Sequence, residues 1–152
     1  FPTIRLSQLA ALYLSIPHVF SEVIRANTLE AFYGLFDVKA STYWEDHFNF
    51  SVASAKRKKQ LTKNFIALLL INVVLPVKFC YALYHGRDIS EEIISLATAI
   101  PSEENTLLTK FKNLDIIATS SLESQGLLEL KKNYCDALKC MHCAIGDTIL
   151  KG

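Results

Sequence analysis

The sequence predicts an all-α fold, an irregular bundle of seven or eight helices around a long central helix kinked by a proline. Apolar residues recur at helical spacing through most of the 152 residues, and no segment alternates apolar and polar residues long enough to indicate a strand. Gly and Pro together number nine, so few positions interrupt helices. The chain is 51% apolar with a net charge of +1, which is typical of a globular domain and excludes a disordered one.

Three short amphipathic helices are predicted first. Thr3 is expected to cap a helix that continues to about Ser15, because its hydroxyl can accept a hydrogen bond from the unpaired amides of a first turn. Pro17 indicates the start of a second helix, since its fixed φ suits a first helical turn. A third helix, short and aromatic, is predicted over residues 29–36.

The long helix at the centre of the bundle is predicted from about Lys56 to His85. Before it, Thr42 and Glu45 have the spacing of a capping box, which predicts a helical turn. Pro76 should kink the long helix, because its ring clashes with the preceding turn and it lacks a backbone donor.

Residues 65–84 of this helix are about as long and apolar as a membrane span. Asn72, Pro76 and Lys78 lie within them, however. By insertion scales, placing a Lys at the centre of a lipid bilayer costs about 3 kcal/mol. A buried core helix explains the run better, so no membrane partner is expected.

The C-terminal half has further helical signals. Capping-box spacing recurs at Asp88 with Glu91 and at Ser120 with Glu123. Apolar stripes at helical spacing predict four more helices, over residues 93–100, 107–114, 122–134 and 141–150.

The most specific pattern is a C-x4-C-x2-C spacing formed by Cys135, Cys140 and Cys143. On one unbroken helix the first two would face about 140° apart, so a break over residues 136–139 is predicted to bring the thiols together. Three interpretations stay open: a metal or iron–sulfur site, a disulfide, or a corner closed by small buried side chains.

A metal site at these cysteines needs a fourth ligand, because zinc and iron–sulfur clusters usually take four. Cys80 is the remaining cysteine and the leading candidate. In a zinc site His85, His47 or His142 could replace it. The cofactor implied is therefore zinc or an iron–sulfur cluster.

A basic run is predicted at the start of the long helix, formed by Lys56, Arg57, Lys58, Lys59 and Lys63. Such a patch could contact a phosphate backbone. Positive charge is disfavoured at a helix N-terminus, so it does not stabilise that end. A solvated face is the commoner explanation of a charge run.

Four aromatic residues precede the basic run, Tyr43, Trp44, Phe48 and Phe50. They could stack on bases, but at this spacing aromatic side chains more often belong to a core. No HExxH spacing, phosphate-binding loop or GxSxG elbow is present, and no catalytic residue is predicted.

Several motifs together resemble a known family. They are the opening FPxxRLxQxA, the region around Trp44, the segment LIN leading to Pro76, and the closing YCxxxxCxxCxIG. Over almost the whole chain they are similar to the C-terminal part of a family of uncharacterised bacterial proteins, number 2851 in the series of domains of unknown function. The resemblance implies a single helical domain, residues 1–152, cut from a longer cytoplasmic protein, and a cytoplasmic setting disfavours the disulfide.

The same resemblance implies a partner. Members of that family carry an upstream half, outside this sequence, that is rich in His, Asp and Glu, as in metal-dependent nucleases. The expected function is a helical accessory or interaction domain that positions a partner, either that half or a nucleic acid held by it. The alternative is a metal- or redox-active protein that uses the cysteine cluster.

Overall fold

The structure is a computed structural model in which residues 2–151 are described. Within that range it has one small hairpin of two antiparallel strands and nine α-helical segments, two of which join into one continuous helix, so that eight helices are separate. The chain is therefore essentially all-α, as predicted. It divides into two compact units, Phe1–Leu96 and Ala97–Gly152, with the boundary inside one helix. The expectation of one domain over the whole chain stays a prediction.

The first unit holds most of the helices and the hairpin. Its elements are α1 (Pro2–Ser15), α2 (Val19–Arg25), α3 (Leu29–Leu35), a 3-10 turn (Thr42–Glu45), strands β1 (His47–Asn49) and β2 (Val52–Ala53), α4 (Lys63–Leu69), a π turn (Leu70–Val74), α5 (Leu75–Tyr84) and most of α6 (Ser90–Ala99).

The second unit begins within the last turn of α6. Its further elements are α7 (Thr106–Lys112), α8 (Ser121–Leu130), a π turn (Lys131–Cys135), a 3-10 turn (Cys140–His142) and α9 (Ala144–Lys151). The break predicted over residues 136–139 is present between the last two turns.

The long helix is shorter than predicted. Helices α4 and α5, with the π turn between them, form one continuous helix, Lys63–Tyr84. The predicted start at Lys56 is wrong: the helix begins after Thr62, whose hydroxyl accepts from the Phe65 N–H at 3.2 Å. This position supplies a cap, whereas a first turn of positive charges would oppose the helix dipole. Residues 56–62 are not helical.

The distortion predicted at Pro76 takes the form of the π turn. That turn, Leu70–Val74, ends two residues before the proline. A π turn widens the helix locally, and this gives room for a ring that has no N–H and would clash with the preceding carbonyl. The helix therefore continues through Pro76.

One face of the long helix supplies the centre of the first unit. Its buried side chains are Ile66, Leu70, Val74, Leu75, Lys78 and Ala82. The other face leaves Leu68, Val73, Val77 and Leu83 exposed. By length and composition alone, it is the one helix in residues 2–151 that could cross a bilayer.

Lys78 lies in the apolar run of α5, is only 5% exposed, and has two partners in the first unit. Its Nζ donates to the backbone carbonyl oxygen of Ile24 at 2.8 Å, near the end of α2, where the helix dipole favours a cation. The same Nζ lies 3.0 Å from Glu92 Oε1 in α6; this contact lacks hydrogen-bond geometry and is an ion pair only. One ammonium group therefore ties α5 to both α2 and α6.

The helix caps agree only in part with their predicted spacing. The Ser120 hydroxyl accepts from the Glu123 N–H at 3.3 Å and the Glu123 carboxylate accepts from the Ser120 N–H, a complete capping box. At α6 the Asp88 carboxylate accepts from the N–H and hydroxyl of Ser90, so the box predicted with Glu91 is replaced by a tighter turn. Thr3 does not cap α1, which begins at Pro2.

Hydrogen bonds lower the pKa of both capping carboxylates. For Asp88 the largest cause is the Ser90 hydroxyl, and for Glu123 it is the Thr119 N–H. Because these two pKa values are lower in the folded state than in the unfolded state, the ionised carboxylates stabilise the fold at neutral pH. This stabilisation is lost as acid protonates the folded carboxylates.

Replacing Lys78 by Met should lower the free energy of unfolding by about 2–4 kcal/mol, because Ile24 and Glu92 lose a buried cationic partner. Denaturant unfolding followed by circular dichroism measures the change. Adding Glu92→Gln to this variant should recover part of the loss. The exposed control Lys132→Met should stay within about 0.5 kcal/mol of the wild type. Equal stability of the two single variants would contradict the buried pairing.

Candidate functional site

A β-hairpin stands where the sequence predicted no strand. Strands β1 and β2 are three and two residues long, too short to give the alternation that identifies a strand. Ser51 at the tip has a φ of +62°, and its N–H donates to the Tyr43 hydroxyl at 3.1 Å. The Thr3 hydroxyl of α1 donates to the Phe48 carbonyl at 2.6 Å. These two bonds hold the hairpin to its surroundings.

The basic segment, defined here as residues 56–59, follows the hairpin as extended chain and not as the first turns of a helix. The Arg57 N–H donates to the Glu45 carbonyl at 2.7 Å. The Lys59 carbonyl accepts from the Ala40 N–H at 2.9 Å and from Gln8 Nε2 at 3.0 Å. The segment is thus fixed by its backbone on both sides, and its side chains start from defined positions.

The five predicted basic residues have different surroundings. Arg57 and Lys58 are exposed and have no ion pair among the described residues. Lys56 is exposed, with its Nζ 3.6 Å from Glu45 Oε2. Lys59 is buried, and its Nζ lies 3.7 Å from the centre of the Phe48 ring. These four residues form one group around the hairpin.

Lys63, the fifth residue of the predicted patch, belongs to α4 and is the first residue of that helix. Its Nζ lies 5.8 Å from the centre of the Tyr33 ring in α3. Lys39 is a basic residue that the sequence analysis missed: it is exposed and pairs as an antiparallel bridge with Gln60, next to the basic segment. No local pattern could have found it, because the two positions are far apart along the chain.

The region that contains the hairpin is positively charged. Residues 37–63 hold six Lys and Arg against three Asp and Glu, a local charge of +3, whereas the rest of the chain carries −2. The Glu45 carboxylate forms an ion pair with Lys56, and the Asp46 carboxylate contacts the His47 ring. The cations of the basic segment therefore outnumber the acidic groups that could neutralise them.

Aromatic rings surround the hairpin, and only one of the four belongs to the core as predicted. Trp44 is buried, whereas Phe50 at the tip is 71% exposed, and Tyr43 and Phe48 are also exposed. The Phe50 and Trp44 rings form a T-shaped pair with 5.2 Å between centroids. Tyr43 stacks on His47 at 4.2 Å with nearly parallel planes. The core interpretation was therefore wrong for three of these residues.

The C-terminal cysteines converge in the second unit. Cys135, Cys140 and Cys143 line one apolar cavity of about 190 Å³, together with Leu130, Tyr134, Ile145, Gly146 and Ile149. The chain reverses at Leu138, which has a φ of +54°, and the Lys139 N–H donates to the Tyr134 carbonyl at 2.9 Å. All four cysteines, including Cys80 in the first unit, are free thiols.

Gly146 determines how closely α9 approaches this turn. A Cβ at this position would lie 2.9 Å from the carbonyl carbon of Cys140 and closer still to its oxygen. Only a residue without a side chain therefore allows the contact. Gly146 was part of the closing motif in the sequence, but its physical role appears only in the structure.

No group of three or more His, Cys, Asp and Glu side chains within residues 2–151 is arranged to hold a metal ion. The three thiols share a cavity that otherwise has apolar walls, with no histidine or carboxylate among them. The metal site with Cys80 as fourth ligand, and the zinc or iron–sulfur cofactor, stay predictions.

These features define an all-α protein with a basic, aromatic hairpin in one unit and a thiol cavity in the other. Residues 1–106 match the family described as Protein of unknown function (DUF2851), and the chain belongs to that family. The match includes the hairpin and the basic segment and ends before the cysteine cluster. Searches of the curated proteins and of the solved structures find no significant match.

Gly146→Ala should destabilise the second unit by about 1–3 kcal/mol, because the new methyl group overlaps the Cys140 backbone. Alkylation of Cys140 and Cys143 with iodoacetamide, followed by mass spectrometry, should become faster. The matched control is Gly126→Ala in α8, where a Cβ meets nothing within 4 Å. That change should instead stabilise by about 0.5 kcal/mol, since Ala is the better helix former. Identical behaviour of the two variants would contradict the close approach.

Proposed function

We propose that the first unit binds the backbone and bases of single-stranded nucleic acid through its basic hairpin surface, defined as β1, β2 and the basic segment. In this proposal the chain is an accessory module of an intracellular protein that acts on nucleic acid. One observation carries it: exposed cations on a fixed, extended backbone directly follow a hairpin that has exposed aromatic rings. Positive charge along a groove combined with aromatic platforms is typical of surfaces that bind single strands.

The charge of the surface supports contact with phosphates. Among the residues that the structure describes, Arg57 and Lys58 have no ion pair that binding would have to break, and the Lys56 contact with Glu45 is long and exposed. Exposed ion pairs contribute only about 0–1 kcal/mol, so exchanging this one for a phosphate costs little. Counterion release from the nucleic acid then provides the driving force.

The aromatic rings support contact with bases. Phe50 is 71% exposed at the hairpin tip, and its ring contacts Trp44. A ring that is restrained on one side and exposed to solvent can stack on a base without losing much side-chain freedom. Lys59 restrains Phe48 in a similar way, because its ammonium group lies over that ring.

Changing Lys56, Arg57 and Lys58 together to Gln should weaken binding of a fluorescent single-stranded oligonucleotide by at least about tenfold at 0.1 M salt. The plot of log affinity against log salt concentration has a negative slope. This slope should become less negative by about 2, the value for three lost phosphate contacts. Fluorescence anisotropy over a salt series measures both. The control is Lys110→Gln, Lys112→Gln and Lys132→Gln, which removes the same charge from the second unit. Equal losses in both variants, or no binding by the wild type, would overturn the proposal.

Phe50→Ala separates base stacking from charge. It should weaken single-strand binding by about 1–3 kcal/mol, the usual contribution of one stacked base. It should leave binding to a duplex, whose bases are already stacked, within twofold. If duplex affinity falls as much as single-strand affinity, the hairpin does not contact unpaired bases.

We propose the thiol cavity as a second candidate site, with redox chemistry as its function. What supports this is the convergence of Cys135, Cys140 and Cys143 on one cavity. Oxidation by a peroxide would join two of these thiols: each loses one hydrogen, the sulfurs form a disulfide, and hydrogen peroxide is reduced to two molecules of water. The third thiol could then exchange with that disulfide.

One equivalent of hydrogen peroxide should convert two of the three cavity thiols to a disulfide within the chain. Thiol titration under denaturing conditions and peptide mass spectrometry measure the loss and the pairing. Cys80→Ser should behave as the wild type, whereas Cys140→Ser should change the pairing pattern. Random oxidation that includes Cys80 would count against a redox site. Stoichiometric zinc in freshly purified protein, with all three thiols protected, would assign the cavity to metal binding instead.

A further inference from the structure

The first unit contains an apolar cavity that the hairpin surface does not use. It has a volume of about 390 Å³ and lies between α1, α2 and the long helix. Five large apolar side chains at this cavity stay exposed to water: Leu9, Tyr13, Phe20, Val73 and Val77. These side chains share one apolar surface, and the volume of the cavity lies in the range of small-molecule pockets.

One charged side chain lines this cavity. The Arg5 guanidinium lies 3.6 Å from the centre of the Phe65 ring and donates to Gln8 Oε1 at 2.9 Å. Gln8 is 3% exposed, and its Nε2 donates to the Lys59 carbonyl, so the amide is held in one orientation and holds Arg5 in turn. In the described part of the chain, no carboxylate forms an ion pair with Arg5.

A guanidinium has five donors in a planar fork, and the contact with Gln8 uses one of them. The remaining donors suit a carboxylate, which Arg can bind through two parallel hydrogen bonds. The guanidinium carbon lies over the Phe65 ring, and Arg5 is exposed, so a ligand can reach these donors. Within residues 2–151, the cavity therefore combines apolar walls with one oriented cation that has no ion-pair partner.

We propose that this cavity binds a small monocarboxylic acid with an apolar tail, of the class of medium-chain fatty acids. The tail lies along α1 and the long helix, and the carboxylate pairs with Arg5. A second copy of the chain would also bury the exposed rim, but it would not need a single oriented cation at the edge. This site binds through Arg5 and the hairpin surface binds through other cations, although the Gln8 side chain contacts both.

Isothermal titration calorimetry of the full chain with octanoate, below its micelle concentration, tests the proposal. Octanoate should bind with a stoichiometry of one. Octan-1-ol, which has the same tail without the charge, should bind at least about tenfold more weakly, because one charge-assisted contact accounts for that factor. Arg5→Gln should reduce octanoate affinity to that of the alcohol. Arg25→Gln, an exposed arginine paired with Glu22 and outside the cavity lining, is the matched control and should bind as the wild type.

Val73→Trp should fill the cavity and abolish binding of both ligands. Circular dichroism shows whether this variant is folded. If it is not, Leu9→Trp, which blocks the cavity from the side of α1, takes its place. Equal affinity for acid and alcohol, or undiminished octanoate binding by Arg5→Gln, would overturn the proposal. A third result would also overturn it: a folded wild type that binds no octanoate but self-associates in sedimentation velocity. If Val73→Trp abolishes that association, the exposed rim of the cavity is an interface between two copies of the chain.

Discussion

The buried amide of Gln8 is the interaction on which both proposed sites of the first unit depend. Its Nε2 donates to the Lys59 carbonyl, which also accepts from the Ala40 N–H, so both lone pairs of that oxygen are used. Its Oε1 accepts from Arg5. One side chain therefore fixes the basic segment against α1 and orients the cation of the apolar cavity. Leaving either end of a buried amide unpaired would cost about 1–3 kcal/mol, so this arrangement is strongly specified.

Some features that depend only on neighbouring residues could be predicted from the sequence, whereas features that depend on distant ones could not. The Ser120 capping box and the break before Cys140 follow from local geometry, and both are present. The start of the long helix was placed too early because residues 56–62 contain no Gly or Pro that would interrupt a helix. Residues 57–61 are kept out of the helix by backbone pairing with segments 12 to 23 positions earlier, through Glu45 and Val38. Such pairing leaves no periodic trace.

In the candidate sites, too, local features were predicted and features that depend on distant residues were not. Convergence of the thiols follows from a C-x4-C-x2-C spacing with a turn inside it, and the structure brings all three to one cavity. The positive φ of Leu138, which closes that turn, has no signal in the sequence, since left-handed conformations favour Gly or Asn over a leucine. The apolar cavity was equally hidden. Tyr13 and Val73 belong to regular helical stripes, and a stripe shows that residues share a face without showing what covers it.

The long helix explains why apolar exposure in the first unit points to a ligand. Its buried face includes Lys78, whose ammonium group is paired with Glu92 and Ile24 within the unit. Moving this helix into lipid would break that pairing and expose a central charge, at a cost of at least about 2.5–3.5 kcal/mol. Its exposed face, with Val73 and Val77, lines a cavity that also contains an oriented guanidinium. An apolar wall beside a single fixed cation fits an amphipathic small molecule better than it fits a bilayer.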